Sequence, residues 1–183
     1  VKTAEENITA RALESDVVAS NILALSLKRE IESRLRELSD LVADPALAEQ
    51  IEAGDSSNWT GDRKPLTDWL TEARLRTDPS KNGDTSWFLC DAKGFQRWRS
   101  PLDKTTIDQN WAHRDYFHGL GSDFDQKNVR PIEVPHVSEA FQSKATNQMM
   151  VALSVPVRDS SGKVIGILAR TTHLGYLLED YRK

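Results

Sequence analysis

The chain has 183 residues, of which 38% are hydrophobic and 28% charged, with 24 basic against 28 acidic side chains and a formal net charge of −4. That length suits one well-buried domain with an extension, and the mild negative balance, with no basic run, argues against nucleic acid as the main partner. The lone cysteine, Cys90, closes no internal disulfide and excludes cysteine-built structural zinc.

No apolar stretch approaches the eighteen or so residues that span a bilayer, and no signal-peptide pattern is present. The sequence opens at "VKTAEENIT" without Met and closes at "LLEDYRK" inside a helix-like pattern, as a soluble piece of a longer protein would.

Residues 3–43 are predicted to form one long helix. Leu13, Val17, Ala24, Leu27, Ile31, Leu35, Leu38 and Val42 mark a helical stripe, and Glu30–Arg34 and Glu32–Arg36 supply i,i+4 pairs. Pro45 ends it by pushing Asp44 out of helical geometry. Forty residues make roughly 60 Å of helix, more than a domain of this size needs. The helix is either a coiled-coil or dimerisation arm, or a helix packed along its own domain. Residues 1–50 are accordingly set apart as a dimerisation and signalling helix, and 51–183 as the domain proper.

"EAGDSSNWTGDRK" (52–64) has the composition of a loop. After Pro65 a short amphipathic helix is predicted, with Leu66, Trp69, Leu70 and Ala73 on one face. "RTDPSKNGDT" is a second loop. From residue 85 the apolar period becomes two: "SWFLCDAKGFQRWRSP" and "MMVALSVPVRDSSGKVIGILARTT" each predict two strands around a turn. In both turns an Asp stands three residues before a Gly, which suits a type I turn with the Gly at positive φ. Val151, Leu153, Val155 and Val157 should share one sheet face, and Pro156 suggests an edge or a bulge. "HVSEAF" (136–141) is a fifth candidate strand, and "HLGYLLEDY" turns helical again. Hairpin-joined strands with helices gathered elsewhere predict an α+β domain on an antiparallel sheet of about five strands.

"WAHRDYFHGL" (111–120) fits neither a plain core helix nor a plain surface one. The Arg114 guanidinium is a fixed fork of donors that matches a carboxylate bidentately and stays charged at physiological pH. Trp111, Tyr116 and Phe117 would wall a partly dry pocket around it. The competing reading pairs Arg114 with Asp115 or the exit helix and leaves the aromatics as core. A catalytic reading needs His113 or His118 as base, Asp115 to orient it and a nucleophile. Neighbouring positions on a helix rarely face each other, and no nucleophile motif is present. His113 and His118 are five apart, unlike the i,i+4 pair that grips zinc. "GLG" and "SSGK" lack the further residues of nucleotide-binding loops. No catalytic residue, metal or cofactor is therefore expected.

Taken in order, the long leading helix, "DAKGFQRWRSP", "HRDYF", "PHVSEAFQSKAT" with "ALSVPVRDSSGKVIGILA", and "LGYLLED" resemble the Cache family, the extracytoplasmic PAS-like sensor domains of bacterial receptors. The resemblance covers most of the chain and fits a single module or the distal half of a double one. It implies a PAS-like sheet and a periplasmic or extracellular position between two membrane helices of a kinase, chemoreceptor or cyclase. It also implies a homodimer along the first helix and a small-molecule ligand whose binding displaces helices. Arg114 matches the family arginine that holds a ligand carboxylate. Tyr116 and Phe117 match the aromatic pair after it, and Phe141 an aromatic on the third strand. Amino-acid-binding members carry a Tyr five residues before that arginine and an Asp on the last strand, where this chain has Gln109 and Thr171. Without that Asp an α-amino group has no charge partner.

The expectation is thus a non-enzymatic ligand-sensing domain that binds a plain carboxylate, small or dicarboxylic, rather than an amino acid. Its expected site is Arg114, Trp111, Tyr116, Phe117, Phe141 and Thr171, with Arg170 or Arg97 as candidate second cations. The alternatives are a ligand-free dimerisation module and, further off, a hydrolase using His113 and Asp115.

Overall fold

The computed structural model describes residues 2–77, 86–123, 129–144 and 146–173, with side chains from residue 15 onward. The predicted exit helix beyond His173, which itself ends a strand, most of the 76–85 loop and the Leu13 side chain lie outside the described residues.

Helix α1 runs Lys2–Val42. Its C-terminal half is a core element, with Leu38 fully buried and Ile31, Leu35, Leu41 and Val42 packed against the same cluster. Among the described side chains before it, Val17 is 60% exposed, and Val18, Ile22 and Leu25 are exposed with it. The C-terminal half is thus a helix packed along its own domain, while the described side chains before it present an exposed apolar face. Among the described residues no helix is long and apolar enough to cross a membrane.

A second helix, α2 (Pro45–Ser56), follows at once and takes residues 52–56 of the segment expected to be loop. Its start is written in the sequence. Asp44 caps it by accepting from the Ala46 N–H at 2.9 Å, and Pro45 occupies the first turn, where a missing N–H costs nothing. Leu47, Ala48 and Ile51 are its buried face. The boundary expected at residue 50 falls inside this helix. Helix α3 (Lys64–Thr77) buries Leu66, Leu70 and Ala73.

The sheet contains β1 (Trp87–Asp91), β2 (Gln96–Ser100), β3 (His136–Val137), β4 (Phe141–Gln142), β5 (Met149–Arg158) and β6 (Val164–His173). Its order is β2-β1-β6-β5-β3, with β4 also on β5, and every described pairing is antiparallel. Both hairpin turns close as their Asp and Gly residues predict. Gly94 and Gly162 have φ of 87° and 85°, and Asp91 and Asp159 accept from backbone N–H groups inside the turns.

The predicted fifth strand is two short ones. Its interruption has a local cause: the Ser138 hydroxyl accepts from the Ala152 N–H at 2.9 Å, and the Glu139 N–H is diverted to the Asp115 carboxylate at 2.8 Å. Pro156 pairs with Ile167 of β6 but lies two residues beyond Ser154, the last position of β5 that faces β3, and the register slips at Val157/Arg158.

Period two divides the sheet between two cores. Leu153, Val155, Val157, Trp87, Leu89 and Leu168 face α1, α2 and α3. Phe88, Cys90, Ala152, Ile167 and Ala169 face the other way, onto Trp111, Tyr116 and Phe117. A helix α4 (Asp115–His118) is the only described helix on that second face.

Candidate ligand-binding site

The segment before α4 is pinned to the β1–β2 hairpin along its length. Gln96 N–H donates to Gln109 O at 3.0 Å, Asp108 N–H to Gln96 O at 2.8 Å, and Trp111 N–H to Gly94 O at 2.8 Å. Gly94 makes this approach feasible, since a Cβ there would stand 2.5 Å from the Ala112 Cβ. Arg114 is the extended residue that begins α4, and Gly119, at φ 69°, ends it in the left-handed region where glycine is at ease. One turn of helix thus sets Arg114, Tyr116 and Phe117 on the sheet.

A third tie is Asp115, whose carboxylate accepts from the Gly121 N–H at 2.7 Å, the Glu139 N–H at 2.8 Å and the His136 ring at 3.0 Å. Burial alone would raise its pKa, but the Glu139 amide, His136 and the Gly121 amide together hold it below the usual value. Asp115 therefore anchors loops. It is committed to His136 and two amides, which removes the orienting acid that the hydrolase reading required.

Trp111, Arg114, Tyr116, Phe141 and Thr171 line one cavity, joined by Ser86, Phe88, Gln96, Arg99, Thr106, Ser143 and Lys144. The space is about 390 Å³ counted to its open mouth. Phe117 is placed differently: it is fully buried in the cluster beneath and does not line the cavity. The Tyr116 ring packs edge-on to Phe88 at 4.9 Å and lies 5.5 Å from Phe141. Burial pushes the phenol pKa well above its ordinary value, so its hydroxyl is a neutral donor at any physiological pH. The Arg114 guanidinium lies 5.3 Å from the Phe141 ring centroid and 5.8 Å from Trp111, within cation–π range. Its Nη1 donates to Asp123 at 2.5 Å, while its buried Nε has no hydrogen-bond partner.

Thr171 is a wall, not a free hydroxyl. Its Oγ1 lies 2.7 Å from the Ser86 hydroxyl and takes the Ser86 N–H at 3.2 Å.

The two candidate second cations lie elsewhere, each for a reason of strand geometry. Arg170, between Ala169 and Thr171, points to the opposite face of β6, reaching Glu37 of α1 at 3.5 Å and the Trp87 ring at 5.5 Å. Adjacent strand residues cannot share a pocket. Arg97 sits at a register slip, where Cys90 pairs with Gln96 after Leu89 pairs with Trp98. The slip sends Gln96 to the cavity and leaves Arg97 to bond Asp91 and Asp108, each at 2.7 Å. Its guanidinium also lies over Trp59 and Phe95.

Arg99 is the cation the sequence reading missed. It is the register partner of Phe88, on the cavity face. The signal was available: Trp98 between two arginines marks the buried face, so Arg99 belongs to the other. Burial lowers its pKa, and Asp103, Tyr116 and Arg74 act less strongly. Three cations, Arg99, Arg114 and Lys144, thus line the cavity, and no carboxylate does so among the described residues. Nor do the described residues hold a cluster of His, Cys, Asp and Glu fit for a metal ion. A wider groove between α2 and the two hairpin turns carries Glu52, Asp55, Lys93, Asp159 and Lys163. Its signs alternate, so it favours no class of ligand.

No protein-family model and no curated protein sequence matches the chain. Solved structures do. The ligand-binding domain of the Pseudomonas aeruginosa PAO1 amino acid chemoreceptor PctC, in complex with GABA, superposes with a TM-score of 0.59 at 17% identity, over 89% of this chain and 64% of that one. The sensor domain of the Vibrio cholerae histidine kinase DctB gives 0.58 at 14% identity, over 90% of this chain and 58% of that one. The ligand-binding domain of the Pseudomonas fluorescens chemoreceptor CtaA, in complex with L-valine, gives 0.54 at 12% identity, over 84% of this chain and 58% of that one. The chain thus spans less than two thirds of the length of these structures. Its architecture is the PAS-like Cache fold, an α+β sheet with a long leading helix, of ligand-binding sensor domains.

Proposed function

We propose that this chain is the extracytoplasmic ligand-sensing domain of a transmembrane signalling receptor, and that it binds a small carboxylate through Arg114. The observation that carries this reading is the cavity's charge: three cationic side chains, aromatic walls, and no acidic residue among those described. Such a lining stabilises an anion, and the acid beside it, Asp123, is already engaged by Arg114 and the Asp115 N–H. GABA and amino acids are bound by several of the matched domains. Here Thr171, at the position where the resemblance expects an Asp, is tied to Ser86, which favours a carboxylate without an amino group. Phe88, Tyr116 and Phe141 exclude water from one side of the carboxylate, and the Tyr116 hydroxyl is a neutral donor for it.

The signal would leave through the helices. β6 carries Thr171 on the cavity face and Arg170, bonded to Glu37, on the α1 face. A ligand biases α1 only by its differential affinity for two arrangements of this contact. Two copies would meet along the exposed Val17, Val18, Ile22 and Leu25 face.

The test is thermal stability against acetate, propionate, succinate, L-alanine and GABA. Organic acids should raise the wild-type melting temperature more than the amino-group compounds at equal concentration, and Arg114→Ala should abolish the response. A wild type indifferent to the whole panel, or a mutant that responds equally, overturns the assignment. The second reading, a ligand-free dimerisation module, is favoured by one observation, the Arg114–Asp123 ion pair that already engages the cation. It requires a stable dimer in sedimentation together with no response to any acid.

A further inference from the structure

We propose that Arg99 is a second anion-holding residue of the cavity, so that the ligand carries two anionic groups, as a short dicarboxylate does. This rests on the reading of the cavity as a carboxylate site and names its ligand class. Three observations converge on Arg99. It projects from β2 beside Phe88, into the same cavity that Arg114 enters from α4, so the two guanidinium groups approach one space from two separate elements. Its Nε is buried without a hydrogen-bond partner, and no ion pair reaches it among the described residues. Asp103, the nearby acid, is turned to Thr105, accepting from its N–H at 2.9 Å and its hydroxyl at 2.7 Å.

A half-buried cation with no acid in direct contact is left partly uncompensated. Four other arginines have acids: Arg97 has Asp91 and Asp108, Arg63 has Asp108, Arg170 has Glu37 and Arg114 has Asp123, while Arg74 donates to the Ser100 hydroxyl. The lowered pKa of Arg99, caused first by burial, fits the same picture. Lys144 is the remaining cation, but it is exposed at the rim, over the Trp111 ring, where solvent screens it. A monocarboxylate on Arg114 would leave Arg99 uncompensated, whereas a second carboxylate fills its fork. Gln96 and Thr106, bonded to each other at 2.6 Å, line the same cavity and offer neutral contacts to the chain between the two groups.

The experiment is calorimetric titration of the folded chain with butyrate and with succinate, two acids of equal carbon count that differ by one carboxylate. The wild type should bind succinate at least about tenfold more tightly, the scale of one charge-assisted contact. Arg99→Gln should shrink that ratio to within about threefold, Arg99→Lys should restore part of it, and Arg114→Gln should weaken both acids. A wild type that binds both acids equally, or an Arg99→Gln protein that keeps the full ratio, overturns the role of Arg99 while leaving the carboxylate site standing. A wild type that binds neither acid overturns both. Should Arg99→Gln fail to fold, the wild-type ratio and the Arg99→Lys variant still decide.

Discussion

Arg114 Nη1 lies 2.5 Å from Asp123 Oδ2, and the other oxygen of the same carboxylate accepts the Asp115 backbone N–H at 2.9 Å. Asp123 therefore occupies part of the guanidinium that the proposed ligand needs. The Arg114 side chain is 11% exposed and that of Asp123 36%, so the pair is wet on one side. An exposed pair of this kind contributes up to about 1 kcal/mol, little enough for a bidentate ligand to displace. Asp123→Asn is expected to tighten carboxylate binding by roughly two- to fivefold, the range that energy permits. Titration of one organic acid against both proteins checks it; weaker binding in the mutant would mean that Asp123 shapes the site rather than competing for it.

Gly94 fixes the segment that delivers the site. At φ 87° and with Ala112 backbone 2.8 Å from where a Cβ would be, it cannot accept a side chain without movement. Gly94→Ala should cost more than about 1 kcal/mol of stability, seen in urea unfolding. It should also weaken ligand binding, because Trp111 N–H bonds to the Gly94 carbonyl. A mutant with an unchanged midpoint would show that the 108–112 segment is held by other contacts.

Acid should loosen the site through Asp115. Its folded pKa lies below the ordinary 3.8, so its stabilisation is fully present above that value and is lost as pH falls through the folded pKa. Asp115→Asn should be less stable than the wild type by roughly 1–3 kcal/mol near neutral pH, the cost of losing charge-assisted bonds at a buried carboxylate. The gap should shrink as pH is lowered from about 5 toward 2. Denaturant midpoints of both proteins across that range measure it, and a gap independent of pH would contradict the assignment.

The exposed apolar face of α1 predicts self-association. Val18, Ile22 and Leu25 follow a 4,3 spacing, the pattern of a coiled-coil seam. Sedimentation should find a concentration-dependent dimer that Ile22→Glu abolishes without lowering the melting temperature of the sheet domain, since this residue is 60% exposed. A monomer at all concentrations would remove the dimer from the account.

What the sequence revealed depended on whether the signal was local. The long helix, both Asp-to-Gly turns and the alternation of Leu153, Val155 and Val157 are local patterns, and the structure follows them. The Asp44-Pro45 start of α2 was equally local and was obscured by the Gly and Ser residues that close the helix. Non-local causes were harder to see. The break in "HVSEAF" depends on Asp115 claiming an amide 24 residues away. The exclusion of Arg97 depends on a register slip that only strand pairing creates. The exclusion of Arg170 needed no structure, because one strand cannot aim two consecutive residues at one pocket. Trp111, Arg114, Tyr116 and Phe141 meet in space, while Phe117 lies beneath them, since one turn of α4 divides its residues between cavity and core.

A crystal structure of the chain soaked in the organic acid that most raises its melting temperature tests the central claim most directly. The account predicts density for a carboxylate between the rings of Trp111, Tyr116 and Phe141, within about 2.7–2.9 Å of the Arg114 guanidinium, the span of a charge-assisted hydrogen bond. An acid bound elsewhere, with the cavity empty and Arg114 still on Asp123, would contradict it.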